Sequence, residues 1–99
     1  MTEKQQEHKK RMEFFQSIWN VRPHYCVNCN KWLGHEPRSY HFDHLLERKK
    51  YPEFEYERKN IALVCLDCHT NRHNGFPGSK HLKLIENARN LFIKPTINK

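Results

Sequence analysis

The sequence predicts a small α+β domain that needs a staple beyond its own core, and three observations carry that expectation. Ninety-nine residues with 36% apolar content and a mean hydropathy of −1.03 can bury only a thin hydrophobic interior. Two short strand-like runs lie in the middle of the chain, with amphipathic helical stretches on either side. Four cysteines fall as two pairs, Cys26-x-x-Cys29 and Cys65-x-x-Cys68, which bracket that middle segment.

The elements follow in order. Residues 2–20 read as a charged amphipathic helix: Met12, Phe15, Ile18 and Trp19 recur at helical spacing, and Pro23 ends the run. Ser39-Tyr-His-Phe-Asp-His44 alternates like a strand, with Tyr40, Phe42 and His44 on one side and His41 and Asp43 on the other. A fifteen-residue loop rich in Lys, Arg, Glu and Tyr leads to Asn60, and the apolar run Ile61–Val64 reads as a second strand. Residues 65–73 suit a short helix with Asp67 in its first turn and Gly75 as its stop. On that helix His69 and His73 stand at i and i+4, on one face and within reach of one ion. A turn at Gly75-Phe-Pro-Gly78 precedes a last helix, 79–92, with Ser79 as N-cap, a stripe of Leu82, Ile85, Ala88 and Leu91/Phe92, and Pro95 as its stop. Both stripes are expected to pack on the metal-stapled middle segment. The whole, 1–99, reads as one domain with its core at about 24–75.

Cysteine spacing names the staple. Two CxxC knuckles are the usual way to build a closed tetrahedral Zn²⁺ site, and neither pair has the flanks of a redox motif, the main rival reading. Structural zinc contributes on the order of 10 kcal/mol to folding, which would offset the thin core. The N-terminus has no hydrophobic region and no apolar run nears the ~20 residues that span a bilayer, so an intracellular, membrane-free protein is expected. Eighteen Lys and Arg against eleven Asp and Glu give a formal charge of +7. That favours a polyanionic partner, nucleic acid above all, over acidic small-molecule chemistry. The excess is C-terminal: residues 79–99 carry +4, the first twenty +1 and the middle +2. The last helix is therefore either DNA-facing or a solvated face.

Taken together, Cys26-x-x-Cys29, Asp43-His44, Asn60, Cys65-x-x-Cys68-His69 and His73 resemble the HNH endonuclease family, the ββα-metal or His-Me finger nucleases. The resemblance covers about residues 24–75, and the His69/His73 pair is similar to the colicin-type members. Many members end instead in Cys-His-x-x-Lys. What it implies is a ββα-metal core flanked by N- and C-terminal helices, and metal-dependent DNA hydrolysis.

Under that resemblance each residue has a task. His44 is the general base, since neutral imidazole accepts a proton near pH 7. In the family a backbone carbonyl or the motif Asn helps aim this ring, and the resemblance implies Asn60 for that task here. Asp43 and His69, with His73 as a third, hold a catalytic divalent ion, and an N/O set of this kind accepts Mg²⁺, Mn²⁺, Ni²⁺ or Zn²⁺. Arg48, Lys49, Lys50, Arg58 and Lys59 flank the site as DNA contacts, with Glu53, Glu55 and Glu57 between them, and Arg72 is a candidate for the cleaved phosphate. Blander readings stand beside these. His73 could face solvent, Asn60 could cap a turn, and the charged loop could be merely solvated. His41 reads as structural, with DNA contact or replacement of Asp43 as the alternatives. His8, His24, His35 and His81 have no defensible partner spacing. The competing class is a non-catalytic zinc module that binds nucleic acid or protein. A phage or mobile-element accessory nuclease, working with a protein partner in a larger nucleic-acid machine, fits as well as a restriction, homing or junction-resolving relative.

Overall fold

A computed structural model describes residues 2–93. Helix α1 spans Glu3–Val21 and starts where its sequence allows reciprocal capping: the Thr2 hydroxyl accepts the Gln5 N–H, and the Thr2 N–H donates to Gln5 Oε1. Its end is set by Pro23, which holds Arg22 extended at φ −111°, ψ 150°. Arg22 then donates to the carbonyls of Arg58 and Ile61, and His24 lies within hydrogen-bond reach of the Trp19 and Gly34 carbonyls. The exit of α1 is thereby tied to the middle of the chain at several points.

The strand predicted over 39–44 is shorter than expected. Ser39–His41 form a 3-10 turn, and only β1, Phe42–His44, pairs with β2, Ile61–Leu63. The pairing is antiparallel, with Phe42 opposite Leu63, Asp43 opposite Ala62 and His44 opposite Ile61. His41 explains the break: its Nδ1 accepts the Arg38 N–H, and its ring stacks on Trp19 at 5.3 Å between centroids. The expected alternation survives in the paired residues. Phe42 stacks on Phe15 of α1, whereas Asp43 turns to the opposite side.

Helix α2, Leu66–His73, follows β2 directly, with Cys65 as its N-cap. Helix α3, Ser79–Phe92, is capped by Gly78 and not by Ser79, which is its first residue. The stripe of α3 is also rotated from the expected one. Leu82 and Leu91 are 45% and 49% exposed, while His81, Ile85 and Ala88 are buried and Leu84 and Phe92 pack at the margin. Lys80, Lys83 and Arg89 lie on the exposed side. Pro95 lies outside the described residues.

The interior is one cluster in which Phe15, Ile18 and Trp19 of α1 meet Phe42, Leu46, Leu63 and Val64, with Ile85 and Ala88 closing it from α3. Met12, placed in the stripe by spacing, lies at its exposed edge. Burying a Leu, Ile or Phe contributes about 1.5–3 kcal/mol, so a cluster this small leaves room for the cysteine staple to matter. Among the described residues, no helix is long and apolar enough to cross a membrane.

Candidate active site

Each cysteine pair sits on a turn that bends the backbone around its sulfurs. In the first, Asn30 takes the left-handed conformation at φ 65°, its N–H donates to the Cys26 carbonyl, and the Cys26 N–H donates to the Lys31 carbonyl. In the second, the start of α2 turns Cys65 and Cys68 to the same point, with the Cys68 N–H donating to Cys65 Sγ. The Val27 N–H reaches the Leu63 carbonyl at 2.9 Å, which brings the two turns together. The four sulfurs lie within 4.8 Å of one another, and Cys29 Sγ and Cys65 Sγ are 3.6 Å apart. Sulfurs bound at about 2.3 Å to one tetrahedral ion are about 3.8 Å apart, whereas a disulfide needs about 2.05 Å. All four cysteines are free, so the cluster fits a four-thiolate zinc site. Burial pushes the Cys68 thiol up to about 12. Burial also opposes ionisation of Cys26, but N–H donors from Cys29, Cys65 and Asn28 outweigh it and bring that thiol down to about 7. A cation is what would bring all four to thiolates.

Beside the cysteine cluster α2 also contributes to a second group. Asp43 of β1, with His69 and His73 of α2, places ligand-type atoms within 4.8 Å of one another. The two carboxylate oxygens of Asp43 divide the work. Oδ2 receives Arg72 and lies 2.7 Å from His81 Nε2, while Oδ1 faces His69 Nδ1 at 3.8 Å. That last distance is too long for a hydrogen bond and short enough for both atoms to reach one ion at about 2.0–2.2 Å. His69 Nδ1 is buried without a hydrogen-bond partner among the described residues, as a metal-ready ring nitrogen would be. Burial lowers the His69 pKa, which keeps the ring neutral for ligation. Burial pushes the Asp43 carboxyl up, but the His81 hydrogen bond and the Arg72 guanidinium overcome it and hold the group below its ordinary value. The donor set therefore fits a divalent cation.

His44 lies beside this group, on the same strand as Asp43. Its Nε2 is 3.0 Å from the Glu55 carbonyl, which can only accept, so Nε2 carries the hydrogen and Nδ1 keeps the lone pair. Asn60 makes no hydrogen bond to the ring. Wholly buried, it receives the Leu46 N–H on Oδ1 and donates Nδ2 to the Leu46 and Phe54 carbonyls. The expectation that Asn60 aims His44 has no direct contact behind it: the Asn60 side chain bonds Leu46 and Phe54. It pins the loop whose Glu55 carbonyl holds the ring. His44, Asp43, His69 and His73 open together onto a cleft of about 430 Å³.

A family model for HNH endonucleases matches residues 26–75, half of the chain. The chain belongs to the HNH endonuclease family. No curated protein and no solved structure matches it. The HNH match and the cysteine cluster agree with the ββα core formed by β1, β2 and α2, and the family ties the chain to nuclease-type chemistry on nucleic acid with divalent metals. Around this HNH core the basic residues divide. Arg48 and Lys49 line the cleft. Lys50 lies over the Tyr51 ring, Arg58 folds back to donate to Ser17 Oγ on α1, and Lys59 is exposed away from the cleft wall. Arg72, expected from the sequence to meet the cleaved phosphate, has its Nη atoms engaged with Asp43 and with the His44 and Leu45 carbonyls. It also lines the cleft.

Two residues of the site escaped the sequence reading. Arg11 lines the cleft from α1 and donates to Glu55 Oε2 at 2.8 Å. Its signal in the sequence was a place four residues before Phe15, on the face of α1 that turns inward. His81 was set aside for lack of a partner at any local spacing, because its partner Asp43 lies 38 residues away.

Proposed function

We propose that the chain is a DNA endonuclease that hydrolyses phosphodiester bonds with His44 as general base and one divalent cation held by Asp43, His69 and His73. The observation that carries this reading is that His44, whose Nδ1 keeps its lone pair, lines the same cleft as an Asp and two His of metal-ligand geometry. A binding module has no use for that pair of features side by side.

Phosphodiester hydrolysis needs a nucleophilic water, relief of the charge that grows on phosphorus, and help for the departing 3′-oxygen. His44 Nδ1 takes the proton of the attacking water. The Glu55 carbonyl keeps the ring in the one tautomer and orientation that allow this, and it stabilises the imidazolium that results. Asn60 secures the loop from Leu46 to Phe54 and so fixes the Glu55 carbonyl. The bound cation would supply charge neutralisation at the scissile phosphate and its leaving oxygen. Arg11, Arg48 and Lys49 at the cleft wall would hold the DNA backbone, with Lys50, Arg58 and Lys59 as outlying contacts. The four-cysteine cluster would carry one structural zinc, separate from the catalytic ion.

The test is cleavage of plasmid, linear, branched and single-stranded DNA across Mg²⁺, Mn²⁺, Ni²⁺ and Zn²⁺. His44→Ala should lose at least ~10²-fold in rate with folding, zinc content and DNA binding retained. Asp43→Ala and His69→Ala should weaken the dependence on divalent ion, and His73→Ala should resemble His69→Ala. Cleavage by His44→Ala at the wild-type rate sinks the mechanism. If no ion and no DNA form supports cleavage by the intact protein, a zinc-dependent binding module becomes the better reading.

A further inference from the structure

We propose that His81 is the positioning residue that aims Asp43 at the cation, and that the cysteine cluster sets the place of His81 through Asn28. The inference rests on the reading of Asp43 as a ligand.

Position 81 belongs to the buried stripe of α3, where Ile85 and Ala88 are its neighbours, and an apolar residue would suit the packing. The chain puts an imidazole there instead, 0% exposed, with Nε2 2.7 Å from Asp43 Oδ2. Its Nδ1 is buried with no hydrogen-bond partner among the described residues. Burying a ring nitrogen unpaired carries a cost that a Leu would avoid, so what the residue offers at this place is Nε2. Since Nδ1 meets no acceptor and the carboxylate only accepts, the hydrogen sits on Nε2 and is donated to Oδ2.

The consequence falls on the other oxygen. A carboxylate on β1 can rotate about its last bond and present either oxygen to the cleft. With Oδ2 held by His81 and Arg72, Oδ1 is the oxygen left facing His69. Arg72 and His81 are not redundant here. Arg72 rides on α2 with His69 and His73, and it divides its guanidinium with two backbone carbonyls. His81 fixes the carboxylate from α3, an element outside the HNH match at 26–75. Residues that hydrogen-bond metal ligands in this way typically contribute 10–100-fold to metal affinity.

Asn28, inside the first CxxC turn, continues the chain of contacts. Its Oδ1 accepts the His81 backbone N–H at 3.1 Å, and its Nδ2 donates to Cys68 Sγ at 3.3 Å. One amide thus touches a zinc-type sulfur at one end and the first turn of α3 at the other. Gly78 makes room for it, because a Cβ there would lie 2.2 Å from the Asn28 amide.

The experiment measures Mn²⁺ affinity of the zinc-loaded full chain without DNA, by calorimetry and by the electron paramagnetic resonance of free Mn²⁺. Asp43→Ala should lose binding. His81→Leu should lose about tenfold or more, and His81→Gln, whose amide nitrogen can reach the place of Nε2, should recover most of it. Asn28→Ala should show a smaller loss, with zinc still at one per chain. If Asp43→Ala loses Mn²⁺ while His81→Leu binds as wild type, the inference fails and the ligand reading stands. It fails in the same way if His81→Gln is no better than His81→Leu. If Asp43→Ala binds as wild type, the ligand reading itself fails, and the inference with it. Wild-type affinity in Asn28→Ala removes the link to the cysteine cluster. Should His81→Leu not fold, nitrogen NMR of the wild-type imidazole decides: a slowly exchanging Nε2–H supports the proposal, and an Nδ1–H tautomer overturns it.

Discussion

At position 44 the proposed chemistry asks for a neutral imidazole, and burial supplies one by lowering the His44 pKa against the pull of the Glu55 carbonyl. A base with a lowered pKa stays competent further into acid, so cleavage should rise with pH through a midpoint below the ordinary imidazole value of about 6.5. A pH–rate profile at saturating divalent ion checks this, and a midpoint above that value counts against His44. His41, also lowered by burial, adds a stability effect of definite sign. The unfolded chain binds protons more readily, so this part of the stability is complete above about pH 6.5 and falls as pH drops toward the folded-state values. Asn60 makes the second residue-scale prediction. Asn60→Ala leaves the Leu46 N–H and the Leu46 carbonyl without partners in the interior, while the Phe54 carbonyl keeps the Glu57 N–H, at a cost of roughly 2 kcal/mol in denaturant unfolding. Activity should fall by more than the loss of folded protein explains, because the Glu55 carbonyl goes astray with the loop. The side-chain types of the site were legible in the sequence, since Asp43-His44 and the i, i+4 pair His69/His73 advertise themselves by spacing. The Glu55 carbonyl was not, because a backbone acceptor leaves no trace in residue identity. His81 was hidden by the length of chain between it and Asp43.

At the scale of elements, the C-terminal ends of α1 and α2 were legible because Pro23 and Gly75 mark them locally. The 3-10 turn at Ser39–His41 was not. It is held by His41 stacking on Trp19, a contact between distant segments that overrides the local alternation. The start of α3 shows a similar override. Ser79 is a good N-cap by type, but the capping oxygen comes from Asn28 on another turn, which accepts the N–H of the third helical residue. Gly78→Ala should therefore act through space alone, since φ at this position is an ordinary −64°. The methyl displaces the Asn28 amide, and losing that cap should cost about 1 kcal/mol in thermal or denaturant unfolding. Ser79→Ala should be close to neutral in the same assay, because its side chain caps nothing.

For the molecule as a whole, four thiolates on one Zn²⁺ would take the formal charge from +7 to +5, still basic enough to favour a phosphate backbone. DNA binding should weaken steeply with salt, each neutralised phosphate adding about 0.9 to the slope. Removing Arg48 and Lys49 together should lower that slope by about twice as much, whatever the DNA sequence. Fluorescence anisotropy over a salt series measures both. Binding indifferent to salt would point to a protein partner instead. Composition made the charge legible, but its placement was not: Arg72 is drawn in to Asp43, and Arg58, though exposed, lies against Ser17 of α1.

The cysteine pairs, one on each side of the segment from Asn30 to Val64, make that segment a ring once a metal joins them. A closed loop of this length limits the unfolded chain by on the order of 4 kcal/mol in the loop-entropy description. A ring also survives a single cut. The exposed Arg48-Lys49-Lys50 tip lies inside it, with Asp43 and His44 on one side of the cut and Asn60 and His69 on the other. A chain cleaved between Lys49 and Lys50 should run as one particle on size exclusion while metal is bound, and separate into two fragments when a strong chelator removes it.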